Sequence, residues 1–598
     1  MTPQRPAGVT DRTHPSGRHE STSRVGIIGR LTTAVPSMHR FLPAGLALAA
    51  TVFCAACSTT SASAPQYTVD VPAIDRPTGE TSAWWFRNGA SQAAARGAMG
   101  GHAKNVIVFL GDGMSLPTVA AARILEGQRH GHPGEENRLS WEDFPYTALS
   151  KTYNTDSQTP DSAGTMSAIA TGVKTRIGVI SVGPEVPRGN CEQAKLHPTT
   201  TLWEVAASQG MDVGIVTTTR VTHATPAATF THVPDRNWEI DEEMPQDALA
   251  AGCIDIARQL VESPLAGHVK VLMGGGRSNF LPAADEDPEY ADKHGLRLDG
   301  RDLVSEWSQR HPGGAYVWNA KQLAQAPADA PLLGLFDPSH MHYVTDRASD
   351  AGGEPDLATM TLAAISRLSK SRDGYVLLVE GGRIDHAHHE GNAYRALTET
   401  VEFSDAVRAA MNATSADDTL ILVTADHSHT LSFVGYPVRG NPILGKVKGS
   451  SGEGDGKTEY ALDAAGHPYT TLNYSNGPGY VGATDQQPEG IKHYPHLVSG
   501  AQDAKDGRPD LTNVDTASPN YMQEALVPMA SETHGGDDVG IWARGPGSEA
   551  VRGSLEENSI FHILLQATPR LRNAVCKAGG CDAHGVPVSM PASIVPSH

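Results

Sequence analysis

A histidine-rich segment, VEGGRIDHAHHEG at residues 379–391, has the residue types and spacing of a metal site. Asp385 and His389 are four residues apart, so one turn of helix would direct both side chains to the same side. His386 and His388 add two imidazoles. Carboxylate oxygen together with imidazole nitrogen suits zinc. The segment predicts a zinc site, and a solvated histidine-rich surface is the alternative.

Two further segments supply ligands of the same kinds. TADHSHT contains Asp426 and His427, and SETHGG contains His534. Oxygen-only ligands occur as well, because Asp112, Glu380 and a hydroxyl such as that of Thr225 would suit magnesium. Like charges gathered at one place repel each other unless a cation holds them. The acidic residues therefore predict bound metal.

A possible nucleophile lies in DSAGTMSAIATGVKT, which begins at Asp161. Serine or aspartate before a helical run is commonly an N-cap. A helix N-terminus also carries partial positive charge and free N–H groups, which suit an alkoxide or a phosphate. Ser162 is thus either a cap or a nucleophile, and its small neighbours Ala163 and Gly164 would let a substrate approach.

Buried strands must position these side chains. Near-continuous Val, Ile and Leu runs, separated by helical patterns, predict an α/β fold with a parallel sheet. The runs are NVIVFLGDGM from Asn105, DVGIVTTT from Asp212, VKVLMGGG from Val269, YVLLVEGG from Tyr375, DTLILVTADHSH from Asp418 and VGIWARG from Val539. Asp112, Glu380, Asp426 and His427 are predicted just past strand ends, at the edge where such sheets bind ligands.

Composition divides the chain into segments. We predict a leader and linker over 1–64, a core in two parts over 75–429 and 531–585, an inserted subdomain over 430–530 and a tail over 586–598. The insertion is rich in Gly and Pro, so a disordered linker is the alternative, although scattered tyrosines favour a folded subdomain.

The leader has the features of a secretory signal. A short basic start at Met38 precedes an apolar run from Phe41 to Ala56, which is too short for a comfortable membrane span. Cys57 follows two alanines, as at a lipoprotein cleavage site. We expect an exported protein, either periplasmic, extracellular or attached to the outer membrane by a lipid on Cys57. The start codon is either Met1 or Met38.

Charge and cysteine content fit export. The 598-residue chain is 39% hydrophobic and has a net charge of −20, which disfavours nucleic acid as a partner. Beyond the leader it has four cysteines, for which three pairings exist: Cys191, Cys253, Cys576 and Cys581. The short turn CKAGGC favours Cys576–Cys581, and with it Cys191–Cys253.

In their order along the chain these motifs resemble the alkaline phosphatase family, from about Ala83 to about Cys581. GLFDPSHM, RLDGRDLV and GYPVRGNPI make the resemblance closer to the animal enzymes. It implies a large, mostly parallel sheet with helices on both faces and a crown-like insertion. It also implies hydrolysis of phosphate monoesters at alkaline pH, through a phosphoserine, with two zinc ions and one magnesium ion.

The resemblance assigns a role to each motif residue. Ser162 would be the nucleophile and Arg236 would grip the phosphate, with His223 and His386 at substrate-binding positions. The metal ligands form three groups: Asp385, His389 and His534 for one zinc; Asp112, Asp426 and His427 for the second; Asp112, Thr225 and Glu380 for magnesium. Ser115 departs from the glycine that is common after GDGM.

Two further features follow from the same resemblance. A calcium site would use Glu289, Asp337, Glu354 and the carbonyl of Phe336, and an ordinary acidic surface is the alternative. The segment SAWWFRNGASQAAARGAM resembles a helix that embraces a partner subunit. We therefore expect a homodimer in which Trp84 and Trp85 are buried against the second subunit.

Other functions on the same scaffold fit less well. A sulfatase needs a Cys or Ser in a C/S-x-P-x-R context, which DSAGT does not supply. Phosphodiesterase relatives usually carry Thr as the nucleophile and have no equivalent of Arg236. A non-catalytic metal- or phosphate-binding protein would not need Ser162.

Overall fold

Ten strands form one central sheet in the computed structural model, which describes residues 67–262, 268–449, 460–463, 466–480 and 509–594. In spatial order they are β15 (Gly553–Glu556), β2 (Tyr146–Lys151), β14 (Val539–Arg544), β8 (Thr419–Thr424), β1 (Asn105–Gly111), β7 (Tyr375–Gly381), β3 (Asp212–Arg220), β4 (Val269–Gly275), β6 (Leu332–Leu335) and β5 (Ala315–Val317). Strand β14 runs antiparallel to both neighbours, and the other pairs are parallel. The predicted, mostly parallel sheet is confirmed.

The sheet is buried on both faces, as its apolar runs predicted. Along β1, Val106 and Val108 belong to one hydrophobic core, whereas Ile107 and Phe109 belong to another. Helices cover the two cores, and their bounds are α1 Ser82–Ala95, α2 Leu116–Arg129, α3 Ser162–Thr171, α4 Cys191–Leu196, α5 Leu202–Ser208, α6 Ala224–Ala227, α7 Gln246–Ala250, α8 Ile256–Glu262, α9 Leu303–Arg310, α10 Ala320–Gln325, α11 Leu357–Leu368, α12 Arg383–His389, α13 Ala393–Ala413, α14 Ser559–Ala567 and α15 Pro569–Lys577. None of these helices is long and apolar enough to cross a bilayer.

Two small sheets are formed by the segment between β8 and β14. A three-stranded sheet within the predicted insertion consists of β10 (Leu431–Phe433), β11 (Leu472–Gly477) and β12 (Ala525–Pro528). Strands β9 (Ser428–His429) and β13 (His534–Gly535) pair antiparallel. The predicted leader, with Cys57, lies outside the described residues.

The cysteines pair as the sequence favoured. Cys191 is bonded to Cys253, and Cys576 to Cys581. The second bond closes the turn after α15. It lies near the start of the predicted tail, in which Val586 and Val588 pack against Ala90 and Ala94 of α1.

The expectation that both tryptophans of α1 need a partner subunit is wrong. The side chain of Trp85 is fully buried within its own chain, in the same core as residues of α3. Trp84 is partly exposed, and its indole N–H donates to the carbonyl of Pro72. The guanidinium of Arg76 lies over both indole rings. The chain thus buries Trp85 without a second subunit.

Candidate active site

The predicted ligands meet at the carboxyl edge of the central sheet. Asp112 follows β1 directly, and Asp426 and His427 follow β8 by two and three residues. Glu380 differs from prediction because it lies inside β7, one residue before the strand ends. These three strands are adjacent in the sheet, so their ends bring the side chains together.

Ser162 is the first residue of α3, and the N-cap is Asp161. One carboxylate oxygen of Asp161 accepts hydrogen bonds from the backbone N–H groups of Gly164 and Gly178, at 3.1 and 2.9 Å. The cap is thus Asp161, which leaves the hydroxyl of Ser162 free for other partners. The whole helix is buried, which explains its small, uncharged sequence.

The first predicted zinc group is brought together at tetrahedral spacing. Asp385 and His389 lie one turn apart on α12, and His534 comes from β13. Asp385 Oδ1 lies 3.4 Å from His389 Nε2 and 3.3 Å from His534 Nε2, and the two Nε2 atoms are 3.1 Å apart. Ligands bound at 2.0–2.1 Å to a tetrahedral zinc lie about 3.3 Å apart. These three side chains fit one zinc ion.

The second predicted group surrounds the hydroxyl of Ser162. His427 Nε2 lies 3.3 Å from Asp112 Oδ1 and 3.4 Å from Asp426 Oδ2. Ser162 Oγ is 3.0 Å from His427 Nε2 and 3.4 Å from Asp112 Oδ1. The hydroxyl thus touches two members of the group, as a nucleophile beside a metal must.

The predicted magnesium ligands are fully buried carboxylates beside a hydroxyl. Asp112 and Glu380 have ligand atoms within 4.8 Å of each other and of His223. Thr225 lies in α6 and is fully buried. Burial raises the pKa of Glu380 to about 7, although a hydrogen bond from Thr217 acts against burial.

The buried carboxylates themselves indicate a cation site. Oδ2 of Asp112 is buried without a hydrogen-bond partner among the described residues. Burial raises the pKa of Asp112 well above its usual range, and the neighbouring charge of Asp426 raises it further. An uncompensated cluster of this kind is costly unless metal neutralises it.

Two residues that position the first zinc group, His429 and Glu532, were not among the sequence predictions. His429 Nε2 lies 2.7 Å from Asp385 Oδ1, and its Nδ1 lies 2.5 Å from Glu532 Oε2. Burial would lower the pKa of His429, but the carboxylates of Glu532 and Asp385 outweigh burial and raise it to about 10. Both residues stand inside quoted motifs, TADHSHT and SETHGG, so position in a motif was the available signal.

Arg236 reaches the site from a loop. Its Nη1 donates to Asp161 Oδ2 at 3.0 Å, and its Nη2 donates to His223 Nε2 at 3.1 Å. The ring centroids of His223 and His386 are 5.5 Å apart. Burial lowers the pKa of both histidines, that of His386 to about 3, so both rings are neutral beside Arg236. Asp161 thus caps α3 and also orients Arg236.

Of the residues in the predicted calcium site, only some are brought together. Asp337 and Glu354 join His342 in a group whose ligand atoms lie within 4.8 Å of one another. Glu289 instead accepts a hydrogen bond from Arg277 Nη2 at 2.8 Å. Phe336 directly precedes Asp337 and is buried.

Ser115 has a local role. Its hydroxyl accepts a hydrogen bond from the backbone N–H of Thr118 at 3.1 Å and caps α2. The departure from glycine therefore serves the helix beside Asp112, and Ser115 is fully buried.

Replacing Glu380 with glutamine should stabilise the metal-free protein at alkaline pH. Because the folded-state pKa is raised from 4.5 to about 7, the stability that Glu380 contributes is present below pH 4.5 and is lost as the pH rises to about 7. Glutamine stays neutral at both pH values. The free energy of unfolding of the variant, relative to that of the wild type, should therefore rise by up to about 3 kcal/mol between pH 4.5 and 8. Urea unfolding in chelator at both pH values measures this, with the exposed Glu242→Gln as control. An equal effect at both pH values would contradict the expectation.

Comparisons with known proteins agree with this geometry. The sequence matches the model of the alkaline phosphatase family over residues 103–569. It is 45% identical over 473 residues to the tissue-nonspecific alkaline phosphatase of Gallus gallus, covering 78% of this chain and 84% of that protein. It is 44% identical to an alkaline phosphatase of Gadus morhua, covering 78% and 91%. The solved alkaline phosphatase of Thermus thermophilus is similar in fold, with a TM-score of 0.54 at 23% identity, covering 83% and 96%.

Fold and site together define a metal-dependent hydrolase built on a mostly parallel α/β sheet. More particularly, the chain belongs to the alkaline phosphatase family, with animal enzymes among its relatives, as the motifs suggested. It is an enzyme that hydrolyses phosphate monoesters.

Proposed function

We propose that this enzyme hydrolyses phosphate monoesters at alkaline pH through a phosphoserine formed on Ser162. The observation that carries the proposal is the position of Ser162 Oγ, which lies at a helix N-terminus and 3.0 Å from His427 Nε2. The partial positive charge of the helix N-terminus stabilises an alkoxide there and attracts the phosphate.

The metals that fit are two zinc ions and one magnesium ion. Asp385, His389 and His534 would hold one zinc, and Asp112, Asp426 and His427 the other. The magnesium ligands would be Asp112, Thr225 and Glu380. When bound, such ions lower the pKa of a nearby hydroxyl and stabilise the charge that develops on the oxygens in an in-line displacement. The spacing of 3.1–3.4 Å between ligand atoms supports the zinc assignments.

The proposed reaction has two steps, in which Ser162 is first phosphorylated and then released by water. Ser162 Oγ loses its proton and attacks phosphorus, and the bond to the alcohol oxygen breaks as the alcohol leaves. Water then attacks the phosphoserine, the bond between phosphorus and Ser162 Oγ breaks, and the serine regains a proton as inorganic phosphate departs. Arg236 offers two parallel N–H donors to the phosphoryl oxygens, and Asp161 and His223 hold it in place.

Replacing Arg236 with alanine should weaken binding without abolishing catalysis. A charged donor to phosphate is worth about 1.5–3 kcal/mol, so kcat/KM should fall about 10- to 100-fold and the inhibition constant of phosphate should rise. Steady-state kinetics with inorganic phosphate as inhibitor measures both. Arg258→Ala is the control, because Arg258 pairs with Glu262 on the surface of α8. Unchanged phosphate inhibition in the Arg236 variant would show that Arg236 does not bind phosphate.

Mass spectrometry of acid-quenched enzyme tests the phosphoserine. After incubation with a monoester and an acid quench, the peptide that contains Ser162 should carry one phosphoryl group. Phosphate found on another residue, or on none at any quench time down to milliseconds, would contradict the proposal.

A calcium ion at Asp337, Glu354, Glu289 and the Phe336 carbonyl is a further proposal. Carboxylate and carbonyl oxygens suit calcium. The proximity of Asp337 and Glu354 supports it, and Arg277 would have to release Glu289 for that carboxylate to take part. Metal analysis after calcium addition, in the wild type and in Glu354→Gln, tests it. Equal calcium content in the two proteins would contradict the site.

We propose export for the whole protein, with periplasmic, extracellular or lipid-anchored location. The apolar segment before Cys57 and the two disulfides of the chain support export. Mass spectrometry of the mature N-terminus tests it. A lipid on Cys57 would establish the anchor, a start beyond Cys57 would exclude the anchor alone, and an intact Met1 in the cytoplasm would exclude export.

We also propose a homodimer. Because Trp85 is buried in its own chain, the dimer proposal rests instead on exposed apolar side chains in and after strands of the three-stranded sheet, namely Tyr436, Leu526, Val527 and Met529. Light scattering should give twice the subunit mass, and a monodisperse monomer at assay concentration would contradict it.

A further inference from the structure

Arg383 lies at the edge of the proposed phosphoryl site. Its Nη1 donates to His386 Nδ1 at 2.8 Å, and its guanidinium lies 3.8 Å from the ring centroid of Tyr343. Its Nε is buried without a hydrogen-bond partner among the described residues. Among those same residues, Arg383 forms no ion pair with a carboxylate. A guanidinium in this state is ready to bind an anion.

The imidazoles of His223, His386 and His340 form a row beside Arg383. The ring centroid of His340 is 4.2 Å from that of His386 and 5.5 Å from that of His223. The backbone N–H of Arg220 lies 3.1 Å from His340 Nδ1, and Nη1 of Arg220 lies 2.5 Å from His340 Nε2. A neutral imidazole accepts at one nitrogen only. His340 can therefore accept from only one of these two donors of Arg220, and Nη1 of Arg220 also lies 3.5 Å from Ser339 Oγ.

The guanidinium groups beside this row differ in their carboxylate partners. Arg220 gives its Nε and Nη2 to Glu239, and Arg236 gives its Nη1 to Asp161. Among the described residues, Arg383 donates to no carboxylate, although its charge acts on the nearby Glu399. Three imidazoles together would suggest a metal, but a guanidinium contacts His340 and another contacts His386. The row therefore favours an anion over a cation.

We propose that Arg383, His340 and Arg220 form a second anion subsite, which selects monoesters whose alcohol carries a further anionic group. The group, a carboxylate or another phosphoryl, would lie a few bonds from the scissile ester. His223 and His386 connect the subsite to Arg236, so both anionic groups of one small molecule can reach their partners. The inference rests on the proposed function of the neighbouring site.

A matched pair of substrates tests this subsite. Glycerol 3-phosphate and 3-phosphoglycerate both release a primary alcohol. They differ in that 3-phosphoglycerate carries a carboxylate where glycerol 3-phosphate carries a hydroxymethyl group. The wild-type holoenzyme should favour 3-phosphoglycerate in kcat/KM, and this preference should fall as ionic strength rises. Arg383→Met keeps the packing on Tyr343 and removes the charge, so the preference should fall about tenfold. His340→Ala should reduce it in the same direction, and Arg383→Lys should restore part of it.

Arg395→Met is the matched control. The Arg395 guanidinium also lies near the Tyr343 ring, at 4.9 Å, but it is ion-paired with Asp346. The preference should remain in this variant, and thermal unfolding verifies that each variant is folded. The ratio of kcat/KM for the two substrates could be the same in wild type, Arg383→Met and His340→Ala. That result would overturn the subsite and leave the proposed function intact. Failure of the wild type to hydrolyse either substrate would instead contradict the proposed function.

Discussion

Replacing Ser162 with alanine is expected to lower kcat for a simple aryl phosphate by at least about a thousandfold. The reason is the position of Ser162 Oγ, which lies 3.0 Å from His427 Nε2 and 3.4 Å from Asp112 Oδ1. Bound zinc should stay near the wild-type content, because the side chain lost is not one of the proposed zinc ligands. Steady-state kinetics and metal analysis of the same preparation measure both.

Ser167→Ala is the matched control for that variant. Ser167 lies on the same buried helix, and its hydroxyl donates to the carbonyl of Ala163 at 2.6 Å. Its loss should affect stability more than turnover. Near-normal activity in Ser162→Ala, or an equal loss in the two variants, would contradict the role of Ser162 as nucleophile.

Replacing Asp112 with asparagine should remove both metal and activity. Asp112 is the one carboxylate common to the second zinc group and the magnesium group, so a neutral amide there weakens two sites at once. We expect the metal content to fall and kcat/KM to drop by at least about a thousandfold. The metal-free variant should nevertheless be at least as stable as the metal-free wild type, because a buried charge in a repulsive cluster has been removed.

Asp143→Asn is the control for Asp112→Asn, since Asp143 forms an exposed ion pair with Arg138. Elemental analysis, kinetics and unfolding in chelator separate the expected outcomes. A variant that keeps full metal content and activity would contradict the assignment of Asp112 as a shared ligand. A variant that is strongly destabilised without metal would contradict the repulsion on which the metal sites are argued.

The sequence predicted the strands, and which candidate ligands meet at their ends, because these signals are local. Buried parallel strands are apolar along their whole length, and the residues after them gather at one edge by topology alone. Asp385 and His389 are related by helical spacing, which is visible without a structure. These features depend on neighbours within one turn or one strand.

The parts that the sequence did not predict depend on contacts between distant segments. Asp161 binds Arg236 across 75 residues, and His429 binds Glu532 across 103 residues. Trp85 is buried by a core that includes α3, which the pattern of α1 cannot reveal. The proposed subsite of Arg383, His340 and Arg220 likewise joins three separate segments. Residue type marks such groups as candidates, but only the fold shows which of them meet.

The most direct test of the central claim is one assay of the purified protein with p-nitrophenyl phosphate and with bis(p-nitrophenyl) phosphate. Each substrate is measured before chelation, after chelation, and after zinc and magnesium are returned. We expect fast hydrolysis of the monoester at alkaline pH, much slower hydrolysis of the diester, loss of activity in chelator and recovery with the metals. A preference for the diester, or monoester hydrolysis that survives complete metal removal, would contradict a metal-dependent phosphomonoesterase.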